Sequence, residues 1–73
     1  RSDEIRFMSP DQRRVTVNLY DVTGRVVKNI FDGAAKNGLN EILYSSKNLA
    51  SGVYFMRLIA DEKVKTEKVI FYR

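Results

Sequence analysis

The sequence contains neither cysteine nor histidine. Their absence removes the thiolate and imidazole ligands of most zinc sites, together with cysteine nucleophiles and Ser-His-Asp systems. It also leaves a small fold without a disulfide, so stability has to come from packing and strand pairing. Tryptophan is missing as well, which leaves a glycan-binding platform unsupported. Nowhere is there an apolar run near the ~18 residues that a membrane-crossing helix requires, so no membrane span is expected. Helical periodicity is nearly absent. The chain opens at Arg1 rather than Met, and its apolar pattern begins by Ile5. It therefore reads as a piece of a longer polypeptide, with any export signal expected upstream.

What remains is an ordinary globular composition on a very short chain. Seventy-three residues allow one domain, 1–73, and a chain of this size buries only ~60% of the surface its unfolded form exposes. That is room for one packed layer between two sheets and not for an enclosed substrate pocket. Hydrophobic residues make up 44% and charged residues 30%, which excludes disorder. The net charge of +4 raises nucleic-acid binding, but the basic residues are spread along the chain and acids such as Asp61, Glu62 and Glu67 are interleaved. They read as a solvated β surface whose lysines discourage edge pairing, and no nucleic-acid partner is expected. Asp61 and Glu62 are neighbours in a turn, not an acid/base pair, and Ser45, Ser46 and Ser51 have no histidine to activate them. No catalytic residue, metal ligand or cofactor is assigned, and the chain is not expected to be an enzyme.

Period-two alternation dominates instead. Glu4-Ile5-Arg6-Phe7-Met8 alternates, and Ser9-Pro10-Asp11-Gln12 supplies a turn. Val15 to Tyr20 is the cleanest strand, with Val15, Val17 and Leu19 on one face. Asp21-Val22-Thr23-Gly24 then reads as a hairpin turn, Asp accepting from the amides ahead of it and Gly tolerating positive φ. It leads into a strand over Arg25 to Phe31. Asp32 to Gly38 is expected to be a loop. Leu39 to Tyr44 is a fourth strand, with Ile42 and Tyr44 sharing a face. Val53 to Ala60 is apolar on both faces and is expected to be central. Asp61-Glu62 turns the chain into a last strand, Lys63 to Arg73. There Val64 and Thr66 fall in one phase and Val69 and Phe71 in the other, which predicts a bulge near Glu67-Lys68. The expected fold is all-β: a small antiparallel β-sandwich, immunoglobulin-like or fibronectin-III-like, of six to seven strands.

Three segments carry a family resemblance. Val17-Asn18-Leu19-Tyr20-Asp21-Val22-Thr23-Gly24-Arg25-Val26-Val27 resembles a "hydrophobic-Tyr-Asp-x-x-Gly-Arg-x-Val" hairpin. Leu49-Ala50-Ser51-Gly52-Val53-Tyr54-Phe55 resembles "Leu-Ala-x-Gly-Val-Tyr". Lys68-Val69-Ile70-Phe71 resembles a lysine opening a terminal hydrophobic stretch. In this order they are similar to the type IX secretion C-terminal sorting domain, type A-like, which is related in pattern to the immunoglobulin-like domain of flagellar hook-capping proteins. The resemblance runs over residues 5–73. The chain lacks the "Tyr-Pro-Asn-Pro" strand with which related domains open, so a first strand is expected to be missing from it, along with an upstream cargo.

The resemblance implies a secretion address that carries its cargo through periplasm and outer membrane to the cell surface or medium. The implied partners are the outer-membrane secretion machinery and a cell-surface sortase-like peptidase. Lys68, Val69, Ile70, Phe71, Tyr72 and Arg73 are the expected recognition residues, available if their strand lies at a sheet edge. Asp21, Gly24, Arg25, Leu49, Gly52, Val53 and Tyr54 are expected to maintain the fold. Tyr54 is the candidate for a tyrosine corner, its hydroxyl bonding a backbone group upstream. An unpaired edge also leaves room for a weak dimer. The competing reading is a structural or adhesive accessory module of an extracellular enzyme or appendage.

Overall fold

The computed structural model describes residues 2–72. Its six strands are β1 (Ser2–Ser9), β2 (Arg14–Tyr20), β3 (Val26–Ala34), β4 (Gly38–Ser45), β5 (Gly52–Ala60) and β6 (Lys63–Phe71). Every pairing is antiparallel. β1 and β4 form a two-stranded sheet, and the four-stranded sheet runs β3-β2-β5-β6. The two stack as a small immunoglobulin-like sandwich, the all-β class that the alternation predicts. Among the described residues no helix is long and apolar enough to cross a membrane.

β2 shows why the layers hold. Its β-branched residues suit a pleated backbone, and Val15, Val17 and Leu19 are 1%, 0% and 0% exposed. Burying a side chain of this kind contributes about 1.5–3 kcal/mol. Tyr54 and Met56 from β5, Tyr44 from β4, Phe71 from β6 and Ala35 complete the core. As expected, β5 is central, lying between β2 and β6. Its uncharged face points inward, and Arg57 is exposed on the other side.

Two local expectations are overturned. First, β6 carries no bulge: the β5–β6 register is unbroken from Gly52↔Phe71 to Ala60↔Lys63. Lys63, Lys65 and Glu67 therefore share a phase with Val69 and Phe71. At a sheet edge such charges stay solvated, and Lys65 and Glu67 pair with each other at 3.5 Å, so the phase needs no correction. The bulges fall in the β2–β3 ladder, at Val17/Asn18 and Leu19/Tyr20. There the unpaired Ile30 and Val27 pack against the core.

Second, Asp32-Gly33-Ala34 belong to β3 and not to a loop. Asp32 Oδ1 accepts from Arg14 at 2.8 Å and from the Thr16 hydroxyl at 3.3 Å, a cross-strand pairing that extends the ladder. Gly33 sits opposite Val15, and the Phe31 ring lies 3.5 Å from where a Gly33 Cβ would stand. The remaining connection to β4 is closed by buried Asn40. Its Oδ1 accepts from the Lys36 amide at 2.8 Å, while Nδ2 donates to the Lys36 and Gly38 carbonyls.

Candidate recognition surface

The antiparallel register collects the three motif segments at one end of the four-stranded sheet. Tyr20, which precedes the Asp21 turn, pairs with Phe55, Phe55 pairs with Lys68, and Gly52 pairs with Phe71. The sequence spacing shows none of this adjacency.

Each motif has a local physical reason. Asp21 Oδ1 accepts from the Thr23 amide at 2.9 Å, the Thr23 hydroxyl at 2.6 Å and the Arg25 amide at 3.1 Å. These bonds, led by the Thr23 hydroxyl and assisted by the Arg25 charge, hold its carboxyl below the usual range. Gly24 completes the turn at φ 89°, where a Cβ is penalised. Arg25 Nε stands 3.5 Å from Asp21 Oδ2. Gly52 opens β5 at φ 151°. The Tyr54 hydroxyl donates to the Ala50 carbonyl at 2.7 Å, the predicted tyrosine-corner bond, and Leu49 packs against the core beneath this turn.

The terminal segment divides. Val69, opposite Tyr54, and Phe71 face the core. Phe71 is 6% exposed, and its ring meets Tyr54 and Tyr44 at centroid distances of 5.4 and 6.5 Å. Lys68 and Ile70 lie on the outer face, opposite Phe55 and Val53. Ile70 is 45% and Tyr72 74% exposed. Arg73 lies outside the described residues. β6 has β5 on one side and no strand on the other among the described residues, so alternate amides and carbonyls along it point away from the sheet.

Beside Lys68, sequence reasoning missed a feature. Tyr20 and Phe55 are half-buried on the outer face, and the Arg57 guanidinium sits 5.0 Å from the Tyr20 ring centroid, a cation–π arrangement. With Asp21 and Gly24 they line a shallow hollow of about 250 Å³. The only sequence signal was the phase of Tyr20 and Phe55, opposite to that of Leu19 and Tyr54.

These features define a small immunoglobulin-like module whose β6 has a neighbour on one side only among the described residues, with exposed side chains on the outer face beside it. The model of one family, the secretion system C-terminal sorting domain, matches residues 2–72, and the chain belongs to that family. It is a sorting signal of type IX secretion, a non-catalytic kind of domain that marks the protein bearing it for export through the outer membrane to the cell surface or medium. No curated protein and no solved structure matches it.

Proposed function

We propose that the secretion machinery reads this domain through the carboxyl-terminal part of β6, with Lys68, Ile70 and Tyr72 as the contacting side chains. Val69 and Phe71 act from the core, keeping that strand in place. The observation that carries this reading is the edge position of β6, with Lys68 and Ile70 on its outer face at the end where all three motif segments meet. A partner strand added to this edge gains main-chain hydrogen bonds, and the side chains beside it supply selectivity. After export a cell-surface sortase-like peptidase removes the domain from its upstream cargo. The domain itself performs no chemistry.

The test is export of a reporter fused upstream of this chain in a type IX-competent bacterium. Removing Lys68 to Arg73 strands the reporter in the periplasm but also strips Phe71 from the core. The decisive variant is therefore Lys68→Glu with Ile70→Asp, which alters only exposed positions. Periplasmic retention of a domain that still melts cooperatively above the growth temperature is the expected result. Normal export of the double variant defeats the proposal.

A further inference from the structure

The outer face of the four-stranded sheet carries two cations that nothing else on it balances. Tyr20 stands opposite Phe55 and Asn18 opposite Arg57 in the β2–β5 ladder, and Lys68 and Thr66 continue the same two rows on β6. Arg57 and Lys68 are therefore diagonal neighbours, at a spacing of about 7–8 Å that long side chains bridge, and like charges there repel. The other charges on this face cancel, since Arg14 donates to Asp32 at 2.8 Å. At the adjoining turn the Asp21 carboxylate is taken up by Thr23 and Arg25. Glu67 belongs to the inner phase of β6, opposite Met56, and pairs with Lys65. Neither Arg57 nor Lys68 has a carboxylate partner among the described residues. Arg57 sits over the Tyr20 ring, 5.0 Å from its centroid, and a ring engages the face of a guanidinium rather than its N–H donors. A strand added to either sheet pairs in the plane of that sheet, so this face keeps its character whether or not β6 gains a neighbour.

We infer that Arg57 and Lys68 together seat an acidic segment of a secretion-machinery protein. The inference rests on the reading that the machinery contacts Lys68 and Ile70, and it adds Arg57 as a specificity-determining residue and a chemistry for the partner. Carboxylates of the segment meet the two cations, and its apolar side chains lie on half-buried Phe55 and exposed Ile70. The guanidinium can take a carboxylate through two parallel N–H bonds. Because Tyr20 already holds it, less side-chain freedom is lost when the partner arrives. A sugar-phosphate headgroup matches the cations but leaves Phe55 and Ile70 without apolar cover. A second copy of this chain, net +4, brings the same two cations against themselves.

The test offers Arg57 a carboxylate from the domain itself. Thr66, directly opposite Arg57 on β6, is replaced in the export reporter by Thr66→Glu and, as a control of equal size, by Thr66→Gln. The new glutamate forms a cross-strand ion pair, so Thr66→Glu is expected to melt no lower than Thr66→Gln while occupying the guanidinium. Its export is expected to fall about tenfold below that of Thr66→Gln, the effect of losing one interfacial charge pair. Among variants of the arginine, all checked for cooperative melting above the growth temperature, export is expected to rank Arg57→Lys above Arg57→Gln above Arg57→Glu. Equal export of Thr66→Glu and Thr66→Gln overturns the inference, as does Arg57→Lys failing as fully as Arg57→Glu. A ranking that changes between two unrelated upstream reporters assigns the face to the cargo and overturns it. Arg57-dependent sedimentation of the whole chain with phosphatidylglycerol vesicles assigns the cations to a membrane and overturns it too. Normal export of Thr66→Glu alongside retention of the Lys68→Glu, Ile70→Asp variant sinks this inference alone, and normal export of both sinks the underlying reading as well.

Discussion

Replacing Phe71 with alanine separates fold from recognition in the terminal strand. The ring is 6% exposed and packs against two tyrosines. Emptying such a site costs about 3–5 kcal/mol, which includes aromatic pairs worth about 0.5–1.5 kcal/mol each. Phe71 is the last residue of an edge strand, where neighbours can relax into the space, so about 3 kcal/mol is expected. A chain of 73 residues has about 4–11 kcal/mol in total, so the loss is a large share of its stability. In urea, with a slope of about 1 kcal/mol/M for a domain this small, the midpoint falls by about 3 M. Ile70→Ala, one residue away but 45% exposed, moves it by less than about 1 M. Export of a fused cargo then falls with the folded fraction in Phe71→Ala, whereas in Ile70→Ala any export loss occurs without unfolding. A midpoint shift below about 0.5 M for Phe71→Ala refutes the core role assigned to it.

Tyr54→Phe keeps the ring and removes the bond to the Ala50 carbonyl, so urea denaturation should show a loss of about 1 kcal/mol. Gly52→Ala meets no atom within 4 Å but must adopt φ 151°; backbone strain alone lowers stability by about 1–3 kcal/mol in the same assay. For Asp21, the folded carboxyl titrates below its ordinary value, so its stabilising contribution is complete above that value and disappears as pH falls through the depressed one. Thermal melts of the native chain and Asp21→Ala, compared from neutral pH downward, should therefore converge only in strong acid. Tyr44 runs the other way. Burial, then the Asp3 charge, raises its pKa above 10.0, so the native chain loses stability at alkaline pH as the phenol ionises, and Tyr44→Phe should flatten that limb of the melting profile.

The local instructions were legible in the residues. Alternation placed Val15, Val17 and Leu19 inside, Asp21 with Gly24 specified a turn, and Gly52 with Tyr54 announced a corner that the hydroxyl bond to Ala50 completes. These are short-range effects: a strand's side-chain period and a turn's φ requirement are properties of a few consecutive residues. Phase was legible only while it was pure. In β6 a mixed pattern suggested a bulge, but the unbroken ladder to β5 outweighed the placement of Val64. In β3 Gly33 resembled a loop residue until Phe31 covered it. Which strand has a neighbour on only one side was decided by the tertiary structure alone. Strand order is a competition among distant pairings, and among the described residues it put β6 at an edge and joined Tyr20, Phe55 and Lys68 in one row.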